Sequence, residues 1–324
     1  MKYVCVLILN ILYCVMLLYH PKSFLYVIHE DPTEVIIYKC AIISGDAASY
    51  TDPPTKDNFR TIGYPYILDF LMMFNNWFIL LLLLNCIAAT WLFYVVYQMI
   101  GNKAWILVFL GTFTLHIPFI LTDLLFASIF VTAIWQTKKR LWLHFLLLGV
   151  ASLIRPSLQW YFIIEPFTLY FYGYRGKILY YSFFMVFAAT SFNSFRNVIN
   201  HGQFAHSTVL KYNINADAYF GSVIDNGVID QIKYIFHSCV SNLFDTHIKL
   251  LRLFFPNRTS NLWVVIPYVY IGMNMLIWLR YSILFIQRKV NYGNVLIILY
   301  FMAPAIFAAN GGRMRLPFEW MLFF

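Results

Sequence analysis

Trp77–Ile100 reads WFILLLLLNCIAATWLFYVVYQMI, a run without one Asp, Glu, Lys or Arg, and it ends on Gly101-Asn102-Lys103. As an α-helix it would be about 36 Å long, more than the ~30 Å of a bilayer's hydrocarbon core. Other charge-free runs are Tyr3–Tyr19, Ala104–Thr122, Leu124–Thr137, Leu141–Ile154, Ile178–Phe195, Thr259–Leu279 and Val290–Gly312. Ser157–Gly173 is a further candidate, interrupted by Glu165 and Pro166. Of the 324 residues, 61% are hydrophobic and 11% charged. Mean hydropathy is +0.68. A soluble domain carries about 25% charged residues, so neither a single soluble globular domain nor a disordered chain fits this composition. The expectation is an all-α, polytopic membrane bundle, residues 1–324 as one membrane domain, with about nine spans and a short C-terminal apolar segment.

The few charges orient that bundle. With alternating sides, the short loops Gly101–Lys103, Thr137–Arg140, Gly173–Lys177 and Gln287–Asn291 share a face with Met1–Lys2. They hold Lys103, Lys138, Lys139, Arg140, Arg175, Lys177, Arg288 and Lys289 and no acid, the positive-inside pattern of a cytoplasmic face. The acids, Glu165 apart, then fall on the opposite side. That side is expected to carry two long loops, residues 20–76 and 199–260, which a simple bundle does not need. The net charge of +9 is accounted for by orientation and by the outer clusters, so it is no sign of a nucleic-acid partner. Met1–Tyr19 lacks a clear cleavage site before Pro21 and reads as an uncleaved first helix. Cys5, Cys14 and Cys86 read as soft apolar residues within runs, while Cys40 and Cys239 share the outer side and are a candidate pair. No CxxC or His/Cys cluster points to a structural metal.

Four outer clusters stand out. Ser44-Gly45-Asp46-Ala47-Ala48-Ser49-Tyr50 places a carboxylate beside a glycine, where Asp46 can act as a general base or simply cap a helix. Arg60-Thr61-Ile62-Gly63-Tyr64-Pro65-Tyr66 reads as a turn into an interfacial helix. Thr122-Asp123 follows His116-Ile117-Pro118 at a junction of two runs; an acid there either faces a wet cavity or caps the next helix. Arg155-Pro156 and Arg313-Met314-Arg315-Leu316-Pro317 put three arginines at outer ends. Their planar forks match phosphate oxygens, and snorkelling to headgroups is the plainer role.

In order and context these clusters resemble the GT-C glycosyltransferases, integral-membrane enzymes that use polyprenyl-phosphate sugars, and within them the protein mannosyltransferase and lipid A aminoarabinose transferase group. The resemblance rests on Asp46 in its Gly-Asp-Ala-x-x-Tyr setting, Arg60 with Gly63-Tyr64-Pro65, Thr122-Asp123, Arg155-Pro156, Arg196-Asn197 with Gly202 and Ser207, and Arg313-x-Arg315-x-Pro317. It covers about Ile43 to Pro317 and departs from the family at Asp123, where glutamate is common. It implies inverting transfer of a sugar from a polyprenyl-phosphate donor to a glycan, lipid or protein hydroxyl on the periplasmic or lumenal face, with a bacterial inner membrane as the setting. Asp46 would be the base, with Asp123 orienting the acceptor or sharing that role. Arg60, Arg155, Arg313 and Arg315 would hold the donor phosphate. Tyr50, Tyr64, Arg196 and Asn197 would contact substrate. A divalent cation is compatible with this chemistry and not required. The alternatives are a transporter or flippase of lipid-linked sugars, a polymerase of lipid-linked glycan repeats, and an assembly subunit whose charges pair with each other.

Overall fold

The computed structural model describes residues 2–19, 61–109, 117, 122–201, 261–307, 317 and 319–323, whose regular structure is helical, with turns between the helices. The helices are α1 (Lys2–Tyr19), α2 (Gly63–Met72), α3 (Trp77–Ile100), α4 (Ala104–Phe109), α5 (Asp123–Gln136), α6 (Leu141–Ile154), α7 (Tyr161–Phe171), α8 (Lys177–Thr190), α9 (Phe192–His201), α10 (Asn261–Ile286) and α11 (Tyr292–Phe307). Short 3-10 turns occupy Gly101–Lys103, Pro156–Leu158 and Glu319–Phe323.

The expected nine spans are not found. Among the described residues one stretch, Ile79–Val108, is long and apolar enough to cross a membrane. A second counts only if Lys177–Thr190 and Phe192–Ile199, bent by 45° at Ser191, are taken as one span. The reason is that a charge-free run is not yet a helix of the same length. Leu124–Thr137 and Leu141–Ile154 become helices of 14 residues each, about 21 Å, well short of the hydrocarbon thickness. The Ser157–Gly173 run yields the 11 residues of α7, begun after a 3-10 turn at Pro156 and containing Pro166. The Ile178–Phe195 run breaks at Ser191.

Apolar packing holds these helices in one bundle. Phe126 and Phe130 of α5 stack with ring centres 5.9 Å apart, and Phe130 meets Phe301 of α11 at 5.0 Å and Tyr161 of α7 at 5.7 Å, edge on. Such pairs add roughly 0.5–1.5 kcal/mol each beyond the area they bury. α3 and α5 run parallel, with Trp91 donating to Thr132 Oγ1 at 2.9 Å and Tyr94 against Trp135 three residues on. α4 folds back so that Trp105 meets Phe93 at 4.9 Å. α6 and α8 cross closely at Gly149, where a Cβ would stand 3.1 Å from that of Ala189.

The basic turns gather at one end. Lys2 Nζ sits 3.6 Å over the Tyr97 ring beside Gly101–Lys103. The Tyr174 hydroxyl donates to the Thr137 carbonyl, and Tyr172 donates to Asn294 Oδ1 at 2.7 Å, which ties the 172–177 and 287–294 turns to the 137–140 turn. Glu319–Phe323 also reaches this end, where Lys103 Nζ donates to the Phe323 carbonyl at 3.2 Å.

Candidate functional site

The other end of the bundle is where the described site residues meet. α5 begins at Asp123, after Thr122, and α6 ends at Arg155, whose extended backbone leads into Pro156. Because α5 and α6 form a tight helical hairpin, the start of one lies beside the end of the other. Arg155 Nη1 donates to Asp123 Oδ1 in a charge-assisted hydrogen bond. The Asp123 side chain is 2% exposed and that of Arg155 14%, so the acid is the more deeply buried of the two. That guanidinium also lies 5.9 Å from the centre of the Phe126 ring, an approach favoured by the ring quadrupole.

α2 closes over the end of α6. A Cβ on Gly63 would stand 2.7 Å from the Leu153 carbonyl oxygen, so only glycine lets the two backbones approach this closely. Tyr64, the next residue, is fully buried. Opposite faces of α2 are apolar: Tyr64, Pro65 and Leu68 are buried, and Tyr66 and Phe70 are exposed.

α9 supplies the third side, and it is turned inside out. Asn193, Ser194 and Asn197 are buried while Phe192, Phe195, Val198 and Ile199 are exposed. Asn193 donates to the Ser152 carbonyl at 3.2 Å and accepts from the Ile62 amide at 3.4 Å, joining α9, α6 and the entry to α2. One turn on, Arg196 Nη1 donates to Asn197 Oδ1 at 3.4 Å.

The structure therefore brings Tyr64, Asp123, Arg155, Arg196 and Asn197 to one end. Asp46, Tyr50, Arg60, Arg313 and Arg315 lie outside the described residues, as do Cys40, Cys239 and most of the two long loops. Asp123 carries a guanidinium, which suits a residue that positions Arg155 better than one that takes up a proton. For a divalent cation the described residues offer no fit: no group of three or more His, Cys, Asp or Glu side chains is found among them, and Asp123 is already paired.

Two features went unseen in the sequence. Asn193 has only its i, i+4 spacing with Asn197 as a signal. The other is a second buried pair, His144 Nε2 to Glu165 Oε1 at 2.7 Å, whose side chains are 1% and 0% exposed. His144 Nδ1 stands 2.9 Å from the Ala133 carbonyl and 3.2 Å from Thr137 Oγ1. Glu165 Oε2 and the Tyr161 hydroxyl are buried without a hydrogen-bond partner among the described residues. Glu165 could be flagged as a lone acid in an apolar run; nothing adjacent in sequence marks His144 as its partner. No family model, curated protein or solved structure matches the chain.

Proposed function

We propose that the chain is a membrane glycosyltransferase that moves a sugar from a polyprenyl-phosphate donor to an acceptor hydroxyl. The observation that carries this reading is the gathering of Asp123, Arg155, Tyr64, Arg196 and Asn197 at the end of the bundle away from the basic turns. By the positive-inside pattern that end faces outward, to the periplasm of a bacterial inner membrane or the exterior. The sequence resemblance supplies the reaction class.

In this reading the Arg155 guanidinium, aimed by Asp123, meets the donor phosphate as charge grows on the leaving oxygen. Arg60, Arg313 and Arg315 share that charge. Asp46 accepts the acceptor hydroxyl's proton while its oxygen attacks the anomeric carbon from the face opposite the phosphate. The bond to phosphate breaks, the centre inverts, and the transition state has oxocarbenium character. The departing phosphate is a stable anion and needs no acid. Tyr50 and Arg196 hold sugar and acceptor, and the buried Tyr64 and Asn197 support them from behind.

The test is transfer by the purified chain, supplied with a labelled polyprenyl-phosphate sugar and a mixed glycan, lipid and peptide acceptor pool. The expected result is labelled product with the wild type and its loss in Asp46→Asn at unchanged thermal midpoint. A wild type inert with every donor, or a fully active Asp46→Asn, overturns the assignment. Movement of the donor between leaflets without transfer would make the chain a flippase.

A further inference from the structure

α1 lies antiparallel on α3 in a register where the numbers of facing residues sum to 100. Tyr3 meets Tyr97 with ring centres 6.1 Å apart, Asn10 Nδ2 donates to Thr90 Oγ1 at 3.3 Å, and Cys14 Sγ stands 3.6 Å from Cys86 Sγ. The steps from 3 to 10 to 14 and from 97 to 90 to 86 follow one helical stripe on each partner. The thiol contact is thus set by backbone register, not by two side chains that happen to swing together. Both cysteines are buried, at 6% and 1% exposure, whereas Cys5 on α1 is exposed. Among the described residues α1 packs chiefly on α3.

We infer that Cys14 and Cys86 form a redox pair that closes to a disulfide and staples α1 to α3. The sulfur atoms are in van der Waals contact and must approach by roughly 1.5 Å to reach bonding distance, a change that torsion of two short side chains and a small shift of α1 supply. Their burial among apolar side chains selects the oxidant: a small apolar alkyl hydroperoxide reaches them, and charged or bulky disulfides do not. One sulfur attacks the terminal peroxide oxygen, so an S–O bond forms, the O–O bond breaks, and the alcohol leaves with that thiol's proton. The second sulfur then displaces the hydroxyl from the sulfenic acid, forming the S–S bond and releasing water with the second thiol proton. The two thiols give up two electrons, and the hydroperoxide is reduced to alcohol and water.

The experiment treats the full chain, in its membrane and without substitutions, with cumene hydroperoxide. The sample is acid-quenched, denatured and alkylated with N-ethylmaleimide, and its peptides are weighed. The expected result is loss of both adducts from Cys14 and Cys86, appearance of the linked peptide lighter by two hydrogens, and recovery of both adducts after dithiothreitol. In Cys86→Ala the linked peptide should vanish. Full alkylation of Cys14 and Cys86 under conditions that oxidise Cys5 overturns the inference, as does a link found only between separate chains.

Discussion

Two buried side-chain pairs sit at opposite ends of one helix, α6. His144 in its first turn reaches Glu165 of α7, and Arg155 just past its last turn reaches Asp123 of α5. The chemistry is similar and the surroundings are not. The His144–Glu165 pair is sealed within the bundle, and its neighbours are a carbonyl, a threonine and aromatic rings. The Arg155–Asp123 pair has a buried acid and a partly exposed arginine, framed by α2 and α9. A pair with no route to solvent can hold helices together but cannot meet a substrate. A charge held by a buried partner and itself partly exposed is aimed, which is what a binding group requires. The first pair is read as structural, and the second as part of a site.

That contrast can be broken by substitution. The largest loss of stability is expected from Glu165→Ala, which leaves His144 without its partner; removing one member of a buried pair costs about 3–5 kcal/mol. Denaturant unfolding measures it, and Glu165→Gln, which keeps an acceptor for the imidazole, should recover more than half. If Arg155→Ala proves more damaging to the fold than Glu165→Ala, the division between the two ends fails. For Arg155 the larger effect should be on turnover: Arg155→Ala lowers transfer by about 100-fold or more, the scale of losing one charge-stabilising donor. Arg155→Lys restores the charge beside Asp123, and so the thermal midpoint, without restoring transfer, because an ammonium lacks the planar fork.

Smaller effects sharpen the picture of how the outer end is built. Gly63→Ala puts a Cβ within 2.9 Å of two backbone atoms of Leu153, so α2 or α6 must shift. An overpacking cost of about 1–3 kcal/mol is expected, with transfer falling as Tyr64 moves. Asn193→Ala removes the donor to the Ser152 carbonyl and the acceptor for the Ile62 amide. It should cost about 1 kcal/mol, read from the same unfolding curves. Should Asn193→Ala leave stability untouched while Gly63→Ala is severe, α2 rather than α9 carries the architecture of that end.

Some of this was legible in the residues and some was not. Asp123 and Arg155 announced themselves because each adjoins a boundary, Thr122 on one side and Pro156 on the other, and a charge at the edge of an apolar run is conspicuous. The grouping of basic turns was legible for the same reason. His144 was not, because a single imidazole within an apolar run has no local signature and its partner lies twenty-one positions away, on a different helix. The span number failed at Pro156 and Ser191, where apolar composition continues and the helix does not. Hydropathy measures solvent preference, and helix length also depends on backbone hydrogen bonds that proline and turns interrupt.

By itself the sequence determined the helical, apolar character of the chain and the distribution of its scarce charges, since both follow from side-chain chemistry summed over short windows. Which charge meets which was decided only by the tertiary structure. Arg155 reaches Asp123 because α5 and α6 fold back on each other, His144 reaches Glu165 because α7 packs against α6, and Cys14 reaches Cys86 because α1 lies antiparallel on α3. Each is a contact between distant positions, set by helix length, turn geometry and packing register, none of which a local window of residues contains.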